Sequence, residues 1–153
     1  MALEHDIAIL SQAPLFHLLD RDALRLVAFA AEGRSLRPGD LLFRRGQASD
    51  AGYVVRAGSI ALDPEDGSEP FMAGPGALIG QAALFAPVER PATAIAQEPS
   101  SVMRIPPNLM RRVLEEFPAA ASAMQDLLAG DLAELTEGLE RVRRALVAID
   151  GDR

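Results

Sequence analysis

The 153-residue sequence contains no cysteine, no tryptophan and no lysine, and all fifteen of its basic residues are arginine. Without thiols there is no disulfide, no thiolate nucleophile, no cysteine-held iron–sulfur cluster and no cysteine zinc site. Without lysine there is no amine for a Schiff base and none for a phosphate-binding P-loop. Histidine is scarce: only His5 and His17 are available as neutral-pH acid–base groups. Both fall in N-terminal amphipathic segments, where a lone histidine is ordinarily a packed or surface residue. The pair Glu115–Glu116 reads as an exposed helix face, and Ser100–Ser101 have no adjacent base. No catalytic constellation, metal site or haem ligand set emerges, so the expectation is a protein that is not an enzyme and needs no metal.

Positive charge is in deficit as well. A net charge of −7 opposes the phosphate neutralisation that supplies most non-specific nucleic-acid binding. The chain has no apolar run long enough for a membrane span and no basic start of a signal peptide. The reading is a cytoplasmic protein with no membrane contact. At this length it forms a single domain, residues 1–153, that buries about two thirds of the surface its unfolded chain exposes.

Residues 1–33 read as N-terminal helices. The first carries Leu3, Ile7 and Leu10 and is interrupted at Ala13–Pro14. In the second, Asp20 caps the start, and Leu24, Val27, Ala28 and Ala31 recur at helical spacing up to Gly33, a good residue just past a helix end. From 34 to 106 the period changes to short apolar runs: Leu41–Phe43, Tyr53–Val55, Ile60–Leu62, Phe71–Ala73, Leu78–Ile79, Ala94–Ala96 and Val102–Ile105. Turn signals such as Pro38-Gly39-Asp40, Asp66-Gly67 and Gly74-Pro75-Gly76 separate them. Short strands at such close spacing argue for a β-sandwich or barrel.

Residues 107–149 return to helix. Pro107–Glu116 forms one short helix, broken at Phe117–Pro118. Beyond it apolar residues fall at Met124, Leu128, Leu132, Leu135, Leu139, Val142, Leu146 and Ile149, settling into the alternating three-and-four spacing of a coiled-coil seam. One helix over 118–149 would run roughly 48 Å at about 1.5 Å per residue, longer than a roll of this size is wide. Met124 and Leu128 are expected to fold back on the roll. The seam from Leu135 to Ile149 needs a partner helix, and a second copy of the chain is the simplest source, giving a homodimer through 124–149. Gly130 and Gly138 mark a bend or a close approach, since each costs about 1 kcal/mol inside a helix.

The chemistry-bearing stretch is Leu78 to Ala96. Gly80 introduces a turn, and Gln81–Phe85 is long enough for one helical turn whose first amides have no intrahelical partner and point outward. Arg90 follows in a loop bounded by Pro87 and Pro91, ahead of a strand-like run. A guanidinium held opposite exposed amides clamps a phosphate or carboxylate, because its fork donates two parallel hydrogen bonds. Pairing of Arg90 with a local carboxylate such as Glu89 is the alternative.

The order Gly80, Gln81, Ala82, Ala83, Leu84, then Arg90, Pro91, Ala92, Thr93 resembles the phosphate-binding cassette of the cyclic-nucleotide-binding domain family. The likeness extends to Pro38-Gly39-Asp40, to Gly46 and to the spacing of Tyr53, Gly58 and Ile60, covering residues 14 to 120. It implies a mainly β fold with flanking helices: a jelly-roll-type β-roll with N-terminal helices and a long C-terminal dimerisation helix. It implies cAMP or cGMP as ligand. Arg90 would hold the exocyclic phosphate oxygens, Gln81 would accept from the ribose 2′-hydroxyl, and amides near Ala82 and Ala83 would contact phosphate or ribose. Gly80, Pro91, Ala92 and Thr93 complete the expected site. Two positions depart from the family pattern. Glutamine replaces the usual glutamate at 81, which removes charge assistance of roughly 1 kcal/mol, and Pro91 has no N–H to give, costing about 1–2 kcal/mol more. Together these weaken binding by about one to two orders of magnitude.

In resembling transcription factors a helix-turn-helix domain follows the long helix. This chain ends at Arg153, so direct DNA binding is not expected, and the output would pass to a separate effector protein. Two functions follow from these residues: a non-catalytic ligand sensor that signals through its C-terminal helix in a homodimer, or a ligand-independent dimerisation scaffold on the same fold.

Overall fold

In the computed structural model, residues 2–130 are described. The chain divides into two compact units, one of residues 1–117 and one that begins at Pro118. In the second, residues 118–130 are helical. The seam from Leu135 to Ile149, on which the dimer expectation rests, lies outside the described residues.

Helix α1 (Ala2–Leu10) buries Asp6, Ile7 and Leu10. Helix α2 (Arg21–Ala30) starts where Asp20 Oδ1 accepts the amide of Ala23 at 2.9 Å, as the sequence leads one to expect. It ends sooner than the sequence suggests. Ala31 is its C-cap, and Gly33, expected just past the helix, lies inside strand β1 (Glu32–Leu36) opposite Met103. The Arg56 guanidinium covers that glycine, 3.5 Å from where a Cβ would stand.

Seven further strands follow: β2 (Leu41–Phe43), β3 (Gly52–Ala57), β4 (Ile60–Asp63), β5 (Phe71–Ala73), β6 (Leu78–Ile79), β7 (Thr93–Ala96) and β8 (Ser100–Ile105). They form two four-stranded antiparallel sheets, ordered β1-β8-β3-β6 and β2-β7-β4-β5. Between them Leu42, Phe43, Tyr53, Val55, Ile60 and Ile79 form a common core, each large side chain contributing about 1.5–3 kcal/mol by leaving water. This is a β-roll with helices at its ends, and helix α3 (Pro107–Glu116) closes it. Gly58, between β3 and β4, is fixed by geometry: its φ is +89°, and a Cβ would stand 2.6 Å from the Pro99 carbonyl.

Helix α1 is tied to the roll by charge. Arg56 places Nε 2.8 Å from Asp6 Oδ1, donates from Nη2 to Asp6 Oδ2 at 3.1 Å, and donates from Nη1 to Ser101 Oγ at 3.1 Å. Among the described residues no helix is long and apolar enough to cross a membrane.

Candidate anion-binding site

Strand β6 is followed by Gly80, which has φ +80° and lets the chain turn at once into the short helical turn Ala82–Leu84. The turn is anchored by Leu84, fully buried, while Gln81 and Ala82 are exposed. Ala83 N–H donates to the Gly80 carbonyl at 3.0 Å and Leu84 N–H to that of Gln81 at 3.1 Å. The amide of Ala83 is therefore spent inside the turn. Those of Gln81 and Ala82 donate to no backbone carbonyl among the described residues, so they are the open pair.

Arg90 is held by the loop that follows β2, the neighbour of β7 in its sheet. Its N–H donates to the Gln47 carbonyl at 2.8 Å, and its own carbonyl accepts from Gly46 at 2.8 Å. One step earlier, Val88 N–H donates to Ser49 Oγ at 2.8 Å, and Ser49 N–H donates to the Val88 carbonyl at 2.7 Å. These bonds fix the backbone on both sides of the residue. The side chain runs beneath Gly80, where a Cβ would stand 2.8 Å from Nη1.

The Arg90 side chain is 3 % exposed. Nη2 donates to the Ala51 carbonyl at 2.7 Å and lies 3.6 Å from Asp50 Oδ1. Its ion-pair partner is thus Asp50, not the adjacent Glu89. Cζ sits 4.1 Å from the centre of the Phe43 ring and 5.7 Å from that of Tyr53. Nε and Nη1 are buried without a hydrogen-bond partner among the described residues. Burial lowers the guanidinium's pKa from its ordinary value, with Tyr53 and the Asp50 carboxylate opposing the shift, and at neutral pH arginine remains a cation.

Asp50 is itself held from a second side. Arg104 donates from Nη2 to Asp50 Oδ2 at 3.1 Å and lies 3.7 Å from Glu32 Oε2. Burial would raise the Asp50 carboxyl, but the hydrogen bond and charge of Arg104, with the charge of Arg90, hold it below its usual value. An unpartnered buried donor costs about 1–3 kcal/mol, and more on a charged group. Two such donors on one cation, beside open amides, form a site that an incoming anion completes.

Gly80, Gln81, Ala82, Ala83 and Arg90 come together at this place. Pro91 is exposed and Ala92 half-buried beside it. Thr93 goes elsewhere. In β7 it faces away from the core, because Ala94 and Ala96 take the inward positions. It lines an outer groove of about 410 Å³ with Ala61, Met72 and Ile95. Its hydroxyl accepts from Arg45 N–H at 2.9 Å and donates to Glu65 Oε1 at 2.6 Å. Phe43, Asp50 and Ala51 belong to the site but carry no local signal in the sequence; the antiparallel register alone brings them to Arg90. Among the described residues no group of three His, Cys, Asp or Glu side chains is placed to hold a metal ion.

The family model for the cyclic nucleotide-binding domain matches residues 33–117. The chain belongs to that family. A solved cyclic nucleotide-binding-like protein from Brucella abortus is 40% identical, with a TM-score of 0.64 over 72% of this chain and 97% of that one. The regulatory domain of Toxoplasma gondii PKA, crystallised with cAMP, is 27% identical, with a TM-score of 0.64 over 72% of this chain and 44% of that one. A cAMP-dependent protein kinase regulatory subunit from Yarrowia lipolytica is 27% identical over 73% of this chain. The chain spans only 30% of that subunit, and less than a third of several other curated relatives.

Proposed function

We propose that the chain is a non-catalytic regulatory domain that senses cAMP or cGMP. The cyclic phosphate is taken by Arg90 and the amides of Gln81 and Ala82, and the Gln81 side chain accepts from the ribose hydroxyl. Occupancy is passed through the C-terminal helix, residues 124–149, of a cytoplasmic homodimer to a separate effector protein. The observation that carries the reading is Arg90 itself: a cation with 3 % exposure whose Nε and Nη1 have no partner among the described residues, held under the turn where the family's phosphate cassette lies. The Toxoplasma regulatory domain supports cAMP as the first ligand to try.

Titration calorimetry with cAMP and cGMP tests the ligand, with Arg90→Gln as control and a thermal melt to establish that the variant folds. Micromolar binding that the folded variant loses supports the sensor. No heat at millimolar nucleotide sinks it and leaves a scaffold. Light scattering tests the assembly: a dimer that Leu139→Glu with Leu146→Glu converts to a monomer supports the seam, and a wild-type monomer overturns it.

A further inference from the structure

We infer that Phe43 is a positioning residue for the anion site, a π-platform against which the Arg90 guanidinium rests, so that among the described residues no protein acceptor takes Nε or Nη1. The inference rests on the proposed role of Arg90 as anion ligand. Arginine on a flexible stem has no fixed orientation of its own, and here two contacts hold the guanidinium. Nη2 is fastened to the Ala51 carbonyl at 2.7 Å, and Cζ lies 4.1 Å above the Phe43 centroid. Tyr53 stands behind, its ring 6.2 Å from that of Phe43 and tilted by 31°, with its hydroxyl accepting from Arg34 Nη1 at 3.3 Å.

The arrangement answers a specific difficulty. A carboxylate stacked against Arg90 would neutralise it and compete with the incoming phosphate. The only carboxylate paired with it among the described residues, Asp50, is 3.6 Å away and is itself bound to Arg104. An aromatic face stabilises a buried cation without occupying any N–H, because the ring quadrupole attracts the charge while the donors lie in the guanidinium plane. Phe43 thus compensates for the burial of Arg90 without taking a donor. It also bears on the departures at the ligand: with a neutral Gln81 and no N–H at Pro91, more of the recognition falls on the two free donors of Arg90.

The test separates the electrostatics of the ring from its packing. Phenylalanine carrying one, two or three ring fluorines is introduced at position 43; size changes little while the negative face is progressively lost. The expected result is a stepwise rise in Kd for the cyclic nucleotide that binds best, reaching about tenfold for the trifluoro ring, with melting temperatures nearly constant. Phe43→Leu weakens binding by a similar factor. In the ligand-free protein, the Arg90 Nε–H proton resonance, assigned by its loss in Arg90→Gln, lies upfield of the other arginines through the ring current and returns to them in Phe43→Leu. A flat Kd across the fluorine series in a protein that binds nucleotide overturns the platform. If the wild-type chain binds no nucleotide the proposed function falls, and the resonance decides alone: an unshifted Nε–H overturns the platform too.

Discussion

Gly80 leaves room for Arg90: a Cβ at position 80 would stand 2.8 Å from Nη1 of the guanidinium, and the backbone there has φ +80°. Both the conformation and the space require glycine. Gly80→Ala therefore pays a left-handed cost of about 1–2 kcal/mol and pushes Nη1 out of its place. The expected outcome is a lower melting temperature together with a loss of nucleotide affinity of about tenfold or more, read by calorimetry. A variant that is less stable but binds normally would show that Nη1 is not a ligand donor.

The two departures from the family cassette should be reversible. Gln81 is exposed, so Gln81→Glu adds a charged acceptor for the ribose hydroxyl without a packing penalty. It should tighten binding about fivefold, the equivalent of about 1 kcal/mol. Pro91→Ala restores an N–H and should tighten binding by about five- to thirtyfold, while costing about 0.4–1 kcal/mol of stability because the unfolded chain regains freedom. Opposite signs for affinity and stability in one substitution make this variant diagnostic; unchanged affinity would mean that position 91 faces no ligand.

Local signals explain what could be read from the sequence. The cassette is contiguous, so Gly80 through Thr93 announce themselves in order. Five of the eight strands coincide with apolar runs almost to the residue; β3 ends at Ala57, two residues past its run, and β8 begins at Ser100, two residues before its run. Strand β1, reading Glu-Gly-Arg-Ser-Leu, has no such run. It is an exposed edge whose residues are chosen by pairing with β8 rather than by burial. The partners of Arg90 were illegible for the same reason: Ala51 is 39 residues away in the chain, and only the register of the folded sheets brings it near. Thr93 belongs to the cassette in sequence but not in space, because strand alternation sends it to the outer face.

Asp50 gives a pH dependence with a definite sign. Arg104 and Arg90 hold its carboxyl below the usual value in the fold, so its contribution to stability is complete above about pH 4, the ordinary carboxylate range, and is lost as pH falls through the lowered value. Asp50→Asn should melt at a lower temperature than wild type at neutral pH, and the difference should close on acidification below about pH 4. A gap that stays constant down to pH 2 would place the effect in something other than the carboxylate's charge.

The Asp6–Arg56 pair fastens α1 to the roll, with side chains 10% and 29% exposed. Its value lies between that of a surface pair, about 0–1 kcal/mol, and the loss of about 3–5 kcal/mol when one partner of a buried pair is removed. Asp6→Ala should therefore cost about 2 kcal/mol, seen as a lower urea midpoint at unchanged slope, with nucleotide affinity left as it was. The double variant Asp6→Leu with Arg56→Met removes both charges and should recover most of that loss, because the penalty in the single variant is the stranded guanidinium rather than the missing attraction. If the double variant is as unstable as Asp6→Ala, the hydrogen bond from Arg56 to Ser101 is the contact that matters, and the carboxylate is incidental to how the helix is held.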